Sequence, residues 1–256
     1  MKRRISFVLA IALAVLGMLS PAQAQRQTQR QGQPGDFDYY ALVMSWSPSY
    51  CGGEGAGRGD PQCAPNRNYS FVLHGLWPQY TRGFPENCRT SFNPFVPRPV
   101  IDGVLDIMPS PKLAIHEYRK HGTCSGLDPK GYFDNARKLY NKVKVPEIYR
   151  RLDRPLVTNV GDITKAFLAA NPGLKSEMMS VACGRPNRMK EIRFCFSRDG
   201  DFKTCGSNEN QGRLCRSPSI YMPPVRASAG RSLSPARPPA LAPAGASGRD
   251  RLPAPV

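Results

Sequence analysis

The stretch "FVLHGLWPQY", residues 71–80, opens as a buried strand and carries a histidine at its centre. Gly75 and Pro78 follow closely, so strand character is expected to break just after His74. Working outward, "DYYALVMSWS" (38–47) is apolar and aromatic up to Pro48 and suits a second buried strand, with "GGEGAGRGDPQC" (52–63) as the loop between. Downstream the pattern turns helical. Residues 111–121 form a helix with Pro111 acceptable in its first turn and Gly122 as its C-cap. Residues 131–145 and 146–152 are helical, and 162–172 is a shorter helix with Asp162 as N-cap and Pro172 at its end. Two further strands are expected at "SEMMSVAC" (176–183) and "KEIRFCF" (190–196). Strands at both ends with helices mainly between them make the fold class α+β rather than alternating α/β.

The 256 residues overstate the domain. Residues 1–24 begin with Lys2, Arg3 and Arg4, continue through a largely apolar run from Ile5 to Leu19, and close on Ala22-Gln23-Ala24. That is the pattern of a signal peptide cleaved after Ala24. No other stretch approaches the roughly 20 apolar residues a membrane span requires. Export to the periplasm or the medium, with no membrane contact afterwards, is therefore expected. Residues 25–35 read as a Gln-rich linker. Residues 217–256, dominated by Pro, Ala, Ser, Gly and Arg, cannot offset their ordering entropy and are expected to be disordered. One catalytic-sized domain remains, 36–216, expected as a monomer.

All eight cysteines fall inside that domain, which in an exported chain implies disulfides. There are about 105 ways to pair eight cysteines. Proximity suggests Cys51–Cys63 and Cys195–Cys205, with Cys183–Cys215 closing around the latter. Tight C-x-x-C pairs of the kind zinc sites use are absent. The formal charge of +17 is carried in good part by the two ends, yet the core keeps a positive surplus. That surplus favours polyanion partners through counterion release and steering.

The three histidines sit in two short segments, "LHGLWP" and "HEYRKH". A zinc-protease helix spaces its histidines four apart so that they share a face. His116 and His121 are five apart, which at about 100° per residue rotates one well off the other. The pairs that do share a face are Glu117 with His121 and His116 with Lys120. A carboxylate raises a neighbouring imidazole's basicity and a lysine attracts an anion. Two imidazoles near their ordinary pKa of about 6.5 can serve as base and acid, and a nearby cation can stabilise developing negative charge. That set suits phosphoryl transfer without metal or cofactor. RNA brings its own nucleophile, the 2′-OH, so none is required of the protein.

Together "FVLHGLWPQY" and "HEYRKHGTC" closely resemble the two active-site segments of the ribonuclease T2 family of secreted endoribonucleases. "GFPENC", "YFDNARKLYNK", "ITKAFLAANPGLK" and the terminal cysteine spacing extend the resemblance over residues 37–215. It implies a central antiparallel sheet flanked by helices and stabilised by disulfides. The implied activity is metal-independent cleavage of single-stranded RNA, with little sequence preference, through a 2′,3′-cyclic phosphate. It further implies His121 as general base, His74 as general acid, His116 as phosphate holder, and Glu117 and Lys120 as groups steadying the transition state. Trp77 would help hold the base, and Cys88 would pair with Cys124. The chain departs from the family at Leu113, Ala114 and Tyr118, which read as packing positions, so a repacked helix is expected. Gln79 stands where some members carry an acidic base-reading residue, with Phe84 as a possible stacking partner. The alternative is a catalytically inactive RNA- or polyanion-binding protein on the same fold. The full set His74, His116, Glu117, Lys120 and His121 argues against it, because binding alone needs no acid–base pair.

Overall fold

In a computed structural model, residues 32–225 are described. Their elements in chain order are β1 (Tyr39–Trp46), α1 (Ser47–Cys51), β2 (Phe71–Gln79), α2 (Arg98–Asp102), α3 (Pro111–Lys120), α4 (Pro129–Lys142), α5 (Glu147–Arg150), β3 (Leu156–Thr158), α6 (Val160–Ala170), β4 (Met179–Gly184), β5 (Arg188–Phe196), α7 (Gln211–Leu214) and β6 (Ile220–Met222). The strands form one sheet ordered β2-β1-β5-β6-β3, with β4 also on β5. Every pairing is antiparallel except Arg188 with Tyr221, where β5 meets β6 in parallel. The class is α+β, with a largely antiparallel sheet and helices mainly in the middle of the chain.

β1 is buried on both faces, and its alternation divides the interior in two. Leu42, Met44 and Trp46 join Phe71, Leu73, Leu76, Tyr118, Phe167 and Phe194 in the large core, whereas Tyr39, Ala41 and Val43 share a smaller cluster with Cys195 and Trp77. Four disulfides link Cys51 to Cys63, Cys88 to Cys124, Cys183 to Cys215 and Cys195 to Cys205, and no cysteine is free.

Several boundaries differ from the sequence expectations. β2 does not break after His74 but continues through Gln79. It is the edge strand of the sheet, where the missing N–H of Pro78 leaves no ladder bond unmade. Gly122 does not cap α3: His121 occupies that position and Gly122 enters a short 3-10 turn closed by Gly126 at φ 77°. Gly122 is needed for space, since a β-carbon there would sit 2.5 Å from the Tyr118 ring. α6 starts at Val160 and is capped by Asn159, whose side chain accepts from the Asp162 N–H, so Asp162 lies in the first turn. Disorder from residue 217 does not hold for the segment's beginning. Ile220–Met222 pairs with β3, and Ile220, Met222 and Val225 are buried. Those three apolar residues bury enough surface to order a segment whose composition reads as tail. At the other end Gly35 N–H donates to Cys124 O at 2.9 Å, which anchors the last residues of the Gln-rich linker. The expected signal peptide, and the remainder of the expected linker and tail, lie outside the described residues. No helix among the described residues is long and apolar enough to cross a membrane.

Candidate active site

The site begins with an irregularity in β2. Val43 pairs with Gly75 and Met44 with Leu73, so His74 is an extra, unpaired residue. A bulge of this kind re-aims a side chain. Strict alternation would put residues 74 and 77 on opposite faces, but here the His74 and Trp77 rings meet edge to face, 5.3 Å apart. Gly75 is required by what lies above it. A β-carbon there would fall 2.1 Å from Glu117 Oε2 and 2.5 Å from Trp77 Nε1. The two groups thus close over bare backbone, with Trp77 Nε1 donating to Glu117 Oε2 at 2.7 Å.

α3 supplies the opposite wall. Ala114 and Tyr118 are fully buried in the large core, and the Tyr118 hydroxyl donates to Leu127 O at 3.1 Å. That packing fixes the rotation of the helix and directs Glu117 against β2. His121, at the helix end, stacks on Trp77 with centroids 5.0 Å apart and planes 26° from parallel. Lys120 pairs with Glu86 at 3.5 Å, while Asn87 N–H donates to Lys120 O and Cys88 is bonded to Cys124. The loop after β2 is therefore fastened to the end of α3 by backbone, charge and covalent bond. One cavity of about 440 Å³ is lined by His74, Trp77, Gln79, Phe84, His116, Glu117, Lys120 and His121 together. All eight residues singled out from the sequence thus share one cleft. Among the described residues, no group of three or more His, Cys, Asp and Glu side chains is arranged to hold a metal ion.

The histidines differ in charge. His121 is buried, its Nδ1 has no hydrogen-bond partner among the described residues, and burial followed by the nearby Lys120 holds its pKa down to about 3. At His74 burial works the same way, but Glu191 and Glu117 outweigh it and the pKa lies above the ordinary value. Glu117 Oε1 is 3.6 Å from His74 Nε2 and Glu191 Oε2 is 3.4 Å from Nδ1. His116 is exposed, and partial desolvation by its surroundings, followed by the charge of Lys120, lowers its pKa. The Glu117 carboxyl is raised, chiefly by burial. The two imidazoles are thus driven apart, His121 toward its neutral form and His74 toward its cationic form.

Sequence reasoning missed four residues here: Glu191, Arg193, Asn208 and Arg213. Arg193 sits over the Trp77 ring at 5.0 Å, and Asn208 and Arg213 line the cleft. Asn208 orients Gln79. Its amide N–H₂ donates to Gly83 O at 2.7 Å while its oxygen accepts from Gly83 N–H, so the remaining N–H faces Gln79 Oε1, also at 2.7 Å. One lone pair of the Gln79 carbonyl is thereby engaged, which fixes the direction of its amide. The one sequence signal for Glu191 and Arg193 was their two-residue spacing on a strand otherwise apolar toward its end.

Residues 37–205 match the family model for the ribonuclease T2 family. A ribonuclease of Aeromonas hydrophila is 33% identical over 223 residues, covering 84% of this chain and 98% of its own. Among solved structures, trichomaglin, described as a novel S-like ribonuclease, superposes with a TM-score of 0.58 at 22% identity, covering 75% of this chain and all of its own. A mutant of RNase MC1 in complex with 5′-UMP superposes at 0.52 and 23% identity, covering 64% and 90%.

Proposed function

This chain belongs to the ribonuclease T2 family and is an endoribonuclease, and from that premise we propose that it cuts single-stranded RNA by metal-independent transphosphorylation. His121, neutral across the working pH range, takes the proton of the 2′-OH beside the scissile phosphate. O2′ closes on phosphorus, and the P–O5′ bond breaks as His74 gives its proton to the departing O5′. The products are a 2′,3′-cyclic phosphate and a 5′-hydroxyl. Water, deprotonated by the now neutral His74, then opens the cycle while His121 returns its proton. His116 and Lys120 face the phosphate. Glu117, whose pKa is raised by burial, steadies the pentacoordinate state beside Lys120.

The observation that carries this reading is the pair of imidazoles meeting one Trp77 ring, one stacked on it and the other against its edge. A second cavity, of about 250 Å³, borders His74 and is lined in part by Arg185, Arg188 and Lys190. It supplies cationic space for the chain that leaves with O5′. Base recognition rests on stacking against the exposed Phe84 ring, which tolerates any base, with Trp77, already carrying His121 and Arg193, as the wall beside it, and on a Gln79 already engaged by Asn208. Little sequence preference follows. The protein acts outside the cytoplasm, in the periplasm or the medium, a location supported by the pairing of every cysteine.

Purified protein in excess EDTA is expected to degrade RNA, leave DNA intact, and yield cyclic phosphate ends on a short RNA of defined sequence. Cleavage of DNA at a comparable rate, or loss of RNA cleavage on chelation, overturns the mechanism. His74→Ala and His121→Ala are each expected to lose roughly 10²–10⁴-fold in rate.

A further inference from the structure

Behind His74 the sheet carries a line of buried charges that the mechanism above leaves unused. Glu191 on β5 is 3% exposed, with Oε2 3.4 Å from His74 Nδ1. Its other oxygen accepts from Arg193 Nε at 3.0 Å and Nη2 at 2.7 Å. Arg193 Nη1 also lies 3.5 Å from Glu209 Oε1, and Glu209 accepts from the Tyr39 hydroxyl. One guanidinium thus serves two buried carboxylates. Burial raises the Glu209 pKa, whereas at Glu191 burial is outweighed by His74 and Arg193, which hold the carboxyl ionised with a pKa of about 2, and a buried carboxylate is costly to leave uncompensated. The imidazole of His74, when protonated, supplies the second positive charge.

We propose that Glu191, anchored by Arg193, is a positioning residue for His74: it engages Nδ1–H, so that Nε2–H is presented to the cleft, and it keeps the ring cationic until the leaving oxygen takes the proton. The inference rests on His74 being the general acid. It follows the pattern by which a carboxylate behind an imidazole sets its tautomer and orientation. The 3.4 Å separation is that of an ion pair, with no close hydrogen bond at Nδ1. Glu191 thus acts on the ring through charge, from the Nδ1 side. The charged groups facing His74 are Glu191 and Lys190 from β5, Glu117 from α3, and His116 and His121 beyond it. Lys190 opposes the cationic ring, Glu117 supports it from the Nε2 side, and only Glu191 addresses Nδ1. Arg193 additionally covers Trp77, so one side chain steadies the carboxylate and the ring His121 stacks on.

The test is Glu191→Gln, which keeps shape and removes charge. The alkaline limb of the kcat profile, where His74 loses its proton, is expected to move down by about one pH unit or more. Near neutral pH kcat would fall about tenfold with KM little changed, and near pH 5 it would approach the parent. Uridine 3′-(4-nitrophenyl phosphate), whose leaving group departs without a proton, should be turned over equally by both proteins. Glu191→Asp, retaining the charge, should recover most of the limb. An unmoved limb, equal losses on both substrates, or matching Gln and Asp variants each overturn the proposal. The imidazole NMR titration of His74 in the folded Gln variant reads the same shift without turnover, and an unchanged midpoint there also rejects it. His74→Ala on the nitrophenyl ester separates the two levels. Near-parental turnover upholds His74 as the acid whatever Glu191 does, and a full loss removes that assignment itself.

Discussion

Gly75→Ala would place one methyl group between the two walls of the cleft. Its carbon would meet Glu117 Oε2 at 2.1 Å, Trp77 Nε1 at 2.5 Å and Glu117 Cδ at 2.9 Å. A relaxed C···O contact needs about 3.3 Å, so the carboxylate must retreat by more than 1 Å. It cannot do so freely: Glu117 is 1% exposed on a helix pinned by Ala114 and Tyr118. The Trp77–Glu117 hydrogen bond, 2.7 Å long, is the contact that yields. Losing a hydrogen bond to a charged group costs about 1.5–3 kcal/mol and overpacking about 1–3 kcal/mol. Against this, alanine restricts the unfolded chain and returns about 0.4–1 kcal/mol. A net loss of about 2–5 kcal/mol follows, read from denaturant midpoints. A displacement near 1 Å in a reacting constellation costs about 10²-fold, so kcat should fall by that order even in the folded fraction. In a Glu117→Ala background the same glycine substitution should cost much less, since the principal clash is gone, and the resulting coupling energy isolates the contact. A Gly75→Ala protein within threefold of parental activity and about 0.5 kcal/mol of its stability would refute the reasoning, because the walls could then part without consequence.

The depressed pKa of His121 also predicts a stability effect. Its folded-state value of about 3 lies below the ordinary 6.5, so its neutral form is the folded one; the stability this confers is present above pH 6.5 and is lost progressively as pH falls toward 3. At 1.36 kcal/mol per pKa unit the loss approaches about 5 kcal/mol. His121→Asn should remove this part of the acid sensitivity, whereas the raised His74 contributes with opposite sign in both proteins and cancels in the difference; parallel stability–pH curves would contradict it. Replacing Cys88 and Cys124 together by alanine opens a crosslink 36 residues apart in sequence. The chain-entropy relation gives a loss of about 4 kcal/mol. Because that bridge ties the Phe84 loop to the end of α3, KM for RNA should rise at temperatures where the variant is still folded, which kinetics at low temperature can check.

Two short segments made most of the cleft legible, because their chemistry is carried locally: imidazoles, a carboxylate and an ammonium group within ten residues on α3 and its C-cap, and an imidazole and an indole on β2. What those segments could not reveal was orientation. The expectation of a broken strand after His74 had the right cause, an irregularity at Gly75, but the wrong consequence. The strand survives as an edge, and the irregularity becomes a bulge that turns His74 toward Trp77. Glu191 and Arg193 were invisible for a different reason. Charged residues two apart on a strand ordinarily read as a solvated face, and only the pairing of β5 with β1, opposite Ser45 and Val43, brings that face under His74. β6 escaped because three apolar residues in a tail-like composition carry no periodic signal; their partner is β3, more than sixty residues earlier. The sequence expectation of two histidines near one ordinary pKa fails in the same way. Identical side chains on neighbouring elements diverge because one is buried beside a lysine and the other is backed by two carboxylates. The two rings are therefore distinguished by the neighbours each acquires on folding, and the carboxylate that makes the difference comes from β5, next to β1 in the sheet.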